Sequence, residues 1–366
     1  AYDKPALPLP DLAKLDWKYI DSLPEIKPGY DDSRWVNADH TTTNNTVEHL
    51  RTPTSLFASD YGFHAGALLY RGHFTATGTE QSIYLSTLGG SAFATSVWLN
   101  DTFLGSSTNP SVLSAHNATY TPHKDLVAGK PYVLTVLVDN MGLDGNWVVG
   151  PDLMKGPRGI LDYNLTGSNT TTAITWKLTG NLGGEDYADI TRGPLNEGGL
   201  FIERMGYHLP DPPMQEFSSE SSSGGPTSGM GLEKPGVAFY AARMDLDFPA
   251  DKWDVPLAFA FENNTAPATT EGASGSGGVY RAWLYVNGFQ FGRYVSNVGP
   301  QTVFPVPEGI LDYQGSNWIG VAVWALEEGG AKVPGFTLQA GNPVMTGRDR
   351  VVVVEAPGWE VRPGAY

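Results

Sequence analysis

The motifs of this chain recur in the same order in its two halves, and that duplication limits what it can fold into. LDWKYIDSLPEI (15–26) resembles ITWKLTGNLGGE (174–185), with Trp17-Lys18 matching Trp176-Lys177. LLYRGHFTATG (68–78) resembles AFYAARMDLDF (238–248), and SVWLNDTFLGS (96–106) resembles WLYVNGFQFGR (283–293). LVAGKPYVLTVLVDNMG (126–142) resembles LDYQGSNWIGVAVWALEEGG (311–330), and GPRGILDYNL (156–165) resembles VPGFTLQAG (333–341). A unit of roughly 170 residues is present twice, so one architecture is built twice.

The unit is made of short aromatic and β-branched runs punctuated by turn residues. In LYVNGFQFGRYV (284–295), Asn287-Gly288 separates two such runs, the strongest local signal for a β-hairpin. Gly (44) and Pro (27) are abundant and charged residues make up only 17%, the profile of turn-rich β-structure. The expected fold class is all-β, two tandem antiparallel β-sandwiches. YVLTVLV (132–138) alternates too weakly to face solvent on one side and is expected to be a central, buried strand. PDLAKLDW (10–17) is the best helical candidate. The expected boundaries are a Pro-punctuated linker over 1–11, a first domain over 12–172 and a second over 173–366. Two Ser/Gly/Thr-rich stretches, 218–231 and 265–278, hold too little apolar surface to offset their ordering entropy and are expected as flexible insertions in the second domain.

The formal charge is −16. Phosphate binding needs a basic stripe, and none exists here, which argues against a nucleic-acid partner. There is no Cys, so disulfides, thiolate metal sites and a Cys nucleophile are excluded. No run of about 18 apolar residues marks a membrane-spanning helix. N-X-S/T sequons begin at Asn44, Asn100, Asn117, Asn164, Asn169 and Asn263, which points to a secreted, extracellular glycoprotein carrying N-glycans. The opening AYDKPALPLPDL reads as a segment joining something upstream, so a piece of a longer secreted protein is expected. No phosphate loop, metal-ligand spacing or other cofactor motif stands out, and neither metal nor cofactor is expected.

Two regions concentrate residues able to do chemistry. Glu185, Asp186, Asp189, Glu197 and Glu203 cluster near Arg192 and Arg204. They read either as a carboxylate pair for glycoside hydrolysis, which needs two carboxyl groups about 5 Å apart, or as turn acids and partners for the arginines. The second region is DNMGLDGNW (139–147), which leaves the buried strand carrying Asp139, Asn140, Asp144, Asn146 and Trp147. A structural turn is one reading. A sugar contact is another, with Trp147 stacking on a hexose and Asp144 and Asn146 bonding its hydroxyls, since binding concentrates on loops carried by rigid scaffolds. A Ca²⁺ loop is the third, weakened by the absence of a bidentate Glu at the right place. His208, in GYHLPDPP (206–213), has no nucleophile pattern beside it and reads as a hydrogen-bonded structural residue.

Taken together, LLYRGHFTATG, SVWLN, DNMGLDGNW, GPRGILDYNL, WKLTGNLGGEDY, RGPLNEGGLF, YVNGFQFGRYV and GPQTVFPVPEGIL resemble the C-terminal part of fungal β-galactosidases of glycoside hydrolase family 35. The similarity runs from about Asp11 to Tyr366. It implies that these are the last two, jelly-roll-like domains of a large secreted enzyme. An N-terminal (β/α)8 barrel would be the partner. It would carry both catalytic glutamates of a retaining mechanism that removes terminal β-D-galactose from lactose and galactosides. On that reading no catalytic residue lies in this chain, and the 184–204 acids are structural. The rival readings are an independent carbohydrate-binding β-sandwich protein and a hydrolase complete in this chain.

Overall fold

A computed structural model describes residues 4–108, 114–145, 149, 155–167, 173–181, 197–219, 229–249, 252–263 and 277–361. The chain forms two compact units. One is Leu23–Arg204; the other joins Ala1–Ser22 to Met205–Arg362.

In the Leu23–Arg204 unit a six-stranded antiparallel sheet runs, from edge to edge, Val36–Asn37, Thr175–Thr179, Gly66–Thr75, Pro131–Asn140, Ala94–Leu99 and Thr102–Thr108. A three-stranded sheet, His116–Tyr120, Ser82–Leu88 and Gly159–Thr166, completes the unit. Their core includes Tyr70, Leu85, Val97, Leu134, Val136, Val138 and Trp176. As the weak alternation predicts, Pro131–Asn140 is a central strand, and it is buried from Val133 onward.

The other unit repeats this plan. Lys18–Asp21, Gly236–Asp245, Ser316–Ala325, Tyr280–Val286 and Phe289–Val295 form one sheet. Val303–Val306, Leu257–Phe261 and Phe336–Ala340 form the other. Trp17, Tyr240, Phe259, Leu284 and Val321 lie in its core. Each unit is thus an antiparallel sandwich of the jelly-roll type, and the matched motifs occupy matching strands.

The domain boundaries differ from those expected. The two Trp-Lys strands are exchanged. Lys18–Asp21 pairs with Gly236–Asp245, placing Lys18 opposite Ala241. Thr175–Thr179 pairs with Gly66–Thr75, placing Lys177 opposite Arg71. Residues 12–22, expected in the first domain, therefore belong with 205–362, and the described residues 173–181 and 197–204 belong with the Leu23 unit. Each half supplies a strand to the other half's larger sheet, Lys18–Asp21 at an edge and Thr175–Thr179 between Val36–Asn37 and Gly66–Thr75, which a linear cut at 172/173 misses. Residues 4–11 are more than a linker, because Leu7 packs against the core of the second unit. The helical candidate at 10–17 is a single 3₁₀ turn, Leu12–Lys14, with the Asp11 side chain accepting from the Ala13 N–H. Of the expected insertions, 220–228 and 265–276 lie outside the described residues. The C-terminal end of the first is ordered, with Gly231–Leu232 pairing with Ala331–Lys332, and at the C-terminal end of the second the Lys332 N–H donates to the Gly277 carbonyl at 2.6 Å.

Candidate functional site

The loop that follows Pro131–Asn140 is anchored from its first residues. Asn140 Oδ1 accepts the Gly142 N–H at 3.0 Å, an Asx turn. The Met141 N–H donates to the Gly89 carbonyl at 2.7 Å. Gly142 takes φ +88°, a left-handed position that glycine occupies without a Cβ penalty. Asp144, one of the candidate sugar contacts, forms an ion pair with Arg158 at 2.8 Å, and both side chains are buried. The same guanidinium donates to the Gly142 carbonyl at 3.0 Å and to the Gly156 carbonyl at 3.0 Å. Arg158 therefore ties both ends of the loop, and Asp144 is committed to holding it. The other two candidates, Asn146 and Trp147, lie outside the described residues.

Beside this loop is a cleft of about 620 Å³ lined by Phe63, His64, Asn140, Leu143, Lys155 and Arg158 among others. Leu143 is 68% exposed. An apolar wall with a few polar groups in a volume of this size suits a small ligand. Reasoning from the sequence missed Arg158. One signal was available: GPRGILDYNL carries an Arg that VPGFTLQAG lacks, a departure from the repeat that calls for a local reason.

The acid cluster resolves differently. Glu185, Asp186, Asp189 and Arg192 lie outside the described residues. Glu203 is buried and accepts the Leu200 N–H at 3.0 Å. Arg204 forms an ion pair with Glu25, a carboxylate from far upstream, and both side chains are fully buried. Burial brings the Arg204 guanidinium down to about 9. His208 is buried, with its ring 5.3 Å from that of Tyr285. Among the described residues no group of three or more His, Asp or Glu is placed to hold a metal, and no helix is long and apolar enough to cross a membrane. Of the sequon asparagines, Asn44, Asn117, Asn164 and Asn263 are exposed and Asn100 is partly so; Asn169 lies outside the described residues.

The model of the β-galactosidase second all-β domain matches residues 30–144 and 201–329. The chain belongs to the β-galactosidase family. Beta-galactosidase A of Aspergillus oryzae is 54% identical over 365 residues, covering 100% of this chain and 34% of the relative. Beta-galactosidase A of Penicillium sp is 51% identical over 366 residues, and that of Aspergillus niger 53% over 365, with the same coverage. The chain spans about a third of the length of these curated relatives. The two stretches matched by the family model fall one in each half, in step with the duplication. Neither contains an exchanged Trp-Lys strand, since Lys18–Asp21 and Thr175–Thr179 lie outside both.

Proposed function

We propose that this chain is the non-catalytic, C-terminal part of a secreted β-galactosidase. The whole enzyme removes terminal β-D-galactose from lactose and other galactosides by a retaining mechanism. The observation that carries this reading is the coverage: the entire chain matches β-galactosidases at 51–54% identity but accounts for only 34% of their length. The partner is then an N-terminal catalytic (β/α)8 barrel, which supplies both glutamates, and this chain buttresses it. The engagement of Glu203 with backbone supports a structural role for that residue. The loop 139–147 is the part of this chain we assign to the aglycone side of the substrate. Asn146 and Trp147 make the contact, and Asp144, tied to Arg158, positions them. N-glycans on the exposed sequons Asn44, Asn117, Asn164 and Asn263 accord with secretion.

The test is hydrolysis of an aryl β-D-galactoside by the purified 366-residue chain, free of any larger polypeptide. The expected outcome is no turnover. Turnover at ordinary enzyme rates would place a catalytic carboxylate pair inside this chain and overturn the reading.

A further inference from the structure

We propose that the second unit carries a binding cleft for a neutral saccharide, with Trp318 as its platform. This cleft is independent of the β-galactosidase reading. It lies where the two copies of the repeat differ, at the Asn hairpin end of the larger sheet.

In both copies an asparagine at the hairpin tip clamps the neighbouring strand. Asn100, at φ +51°, donates its N–H to the Val133 carbonyl at 2.7 Å and accepts the Val133 N–H on Oδ1 at 3.0 Å. Asn287, at φ +47°, does the same to Trp318, at 2.8 and 2.7 Å. The next strand over completes the correspondence, with His73 opposite Val133 and Arg243 opposite Trp318. Val133 and Trp318 are thus the same position of the fold. Val133 shows that the fold does not require an aromatic there.

Each copy opens a cleft at this place. The first, about 400 Å³, is lined by His73, Asn100, Tyr132 and Val133, and His73 is occupied by a 2.6 Å bond to Asp32. The second, about 430 Å³, is lined by Trp318, Arg243, Asn287, Asp312, Ser316 and Asp211, with the segment 353–358 as a further wall. Trp318 is only partly buried. Arg243 is largely exposed, with Nε held by Ser316 Oγ at 2.5 Å. Asp312 Oδ1 receives the Gln314 N–H at 3.0 Å and Arg350 at 3.1 Å, which aims the carboxylate. Asp211 is a non-glycine residue at φ +54°, a strained conformation of the kind that tends to mark functional positions.

The chemistry of this wall selects its ligand. An indole face offers an apolar surface bordered by donors and acceptors. A pyranose has the complementary shape, with a C–H face ringed by hydroxyls. Arg243 in the lining and Arg350 on Asp312 face three carboxylates, Asp211, Asp312 and Glu355. The wall is therefore slightly negative and disfavours an anion, while the indole face and its bordering polar groups suit an uncharged, hydroxyl-rich ligand. The volume lies within the roughly 300–1,000 Å³ of small-ligand clefts.

The experiment is calorimetric titration of the full chain with β-1,4-galactotriose, with cellotriose as a second neutral probe and 3′-sialyllactose as a charged one. The expected result is saturable binding of at least one neutral trisaccharide with a Kd near ~1 mM, about −4 kcal/mol. Trp318→Val, which installs the residue of the first copy, should weaken it at least ~10-fold with Tm unchanged. If Trp318→Val does not fold, the double variant Arg243→Ala/Asp312→Ala must produce the same loss. No saturable binding of either neutral probe, binding of the charged probe alone, or binding indifferent to these substitutions would overturn the proposal.

Discussion

Glu25 and Arg204 show how far a single residue's role depends on contacts that its neighbours in sequence do not reveal. Arg204 sits among clustered acids, yet its carboxylate is 179 positions away. The guanidinium also donates to the Gly199 carbonyl at 3.2 Å and lies over the rings of Trp35 and Phe201 at 5.6 and 5.7 Å. Both charges are out of water, so each depends on the other. Glu25→Gln leaves a buried cation without its counter-charge and is expected to cost about 3–5 kcal/mol, read as a fall in Tm and in the denaturant midpoint. The double replacement Glu25→Leu/Arg204→Met removes both charges and is expected to cost less than the single change. A single variant as stable as the parent would refute this account. Asp32 shows the same dependence on long-range partners: Arg71, His73 and Lys177 all converge on it. Although burial alone would raise its carboxyl, the His73 bond and the Arg71 and Lys177 charges hold it below the ordinary carboxylate range.

At the scale of the element, the hairpin of 280–295 was legible because its signal is local. Tyr280–Val286 pairs with Phe289–Val295, and the two turn residues, Asn287 and Gly288, are both left-handed at φ +47° and +88°. That is the conformation a two-residue turn demands and an Asn-Gly pair allows. The clamp was not legible, because it engages a strand thirty residues on. Asn287 accepts from Trp318 and donates through Nδ2 to the Ile310 carbonyl at 2.7 Å and to Asn317 Oδ1 at 2.9 Å. Asn287→Ala loses these bonds and leaves in the left-handed region a residue that tolerates it less well than Asn, so a loss of about 2–4 kcal/mol is expected. Asn287→Gly keeps the backbone conformation and should cost less. Equal effects of Ala and Gly, measured by thermal unfolding, would show that the conformation contributes nothing. The loop at 139–145 divides in the same way. Its Asx turn follows from Asn140 and Gly142, whereas Arg158 reached it through the fold.

For the whole molecule the exchanged strands have the largest consequence. The sheet of the second unit is completed by Lys18–Asp21, and Trp17 is buried in its core. A fragment of 205–361 therefore lacks an edge strand and a core tryptophan, and removing a buried Trp side chain alone costs about 3–5 kcal/mol. Expressed by itself, this fragment is expected not to unfold cooperatively. Supplying residues 1–22, by co-expression or through a flexible fusion, should restore a cooperative transition. A fragment that melts alone at the temperature of the parent chain would show that the exchange carries no stability.

The duplication, the antiparallel sandwich class, the buried central strand and the hairpin all followed from the sequence, because they rest on alternation, turn chemistry and repeated order within short stretches of chain. The family followed too, from motifs that survive in linear order. Tertiary structure alone decided which copy each Trp-Lys strand joins, which carboxylate neutralises Arg204, and how Asp144 is tied to Arg158. Those choices depend on which surfaces meet after the chain has folded back over tens to hundreds of residues. Burial and ion pairing act through space, and a matched motif looks the same in the sequence whichever sheet it completes.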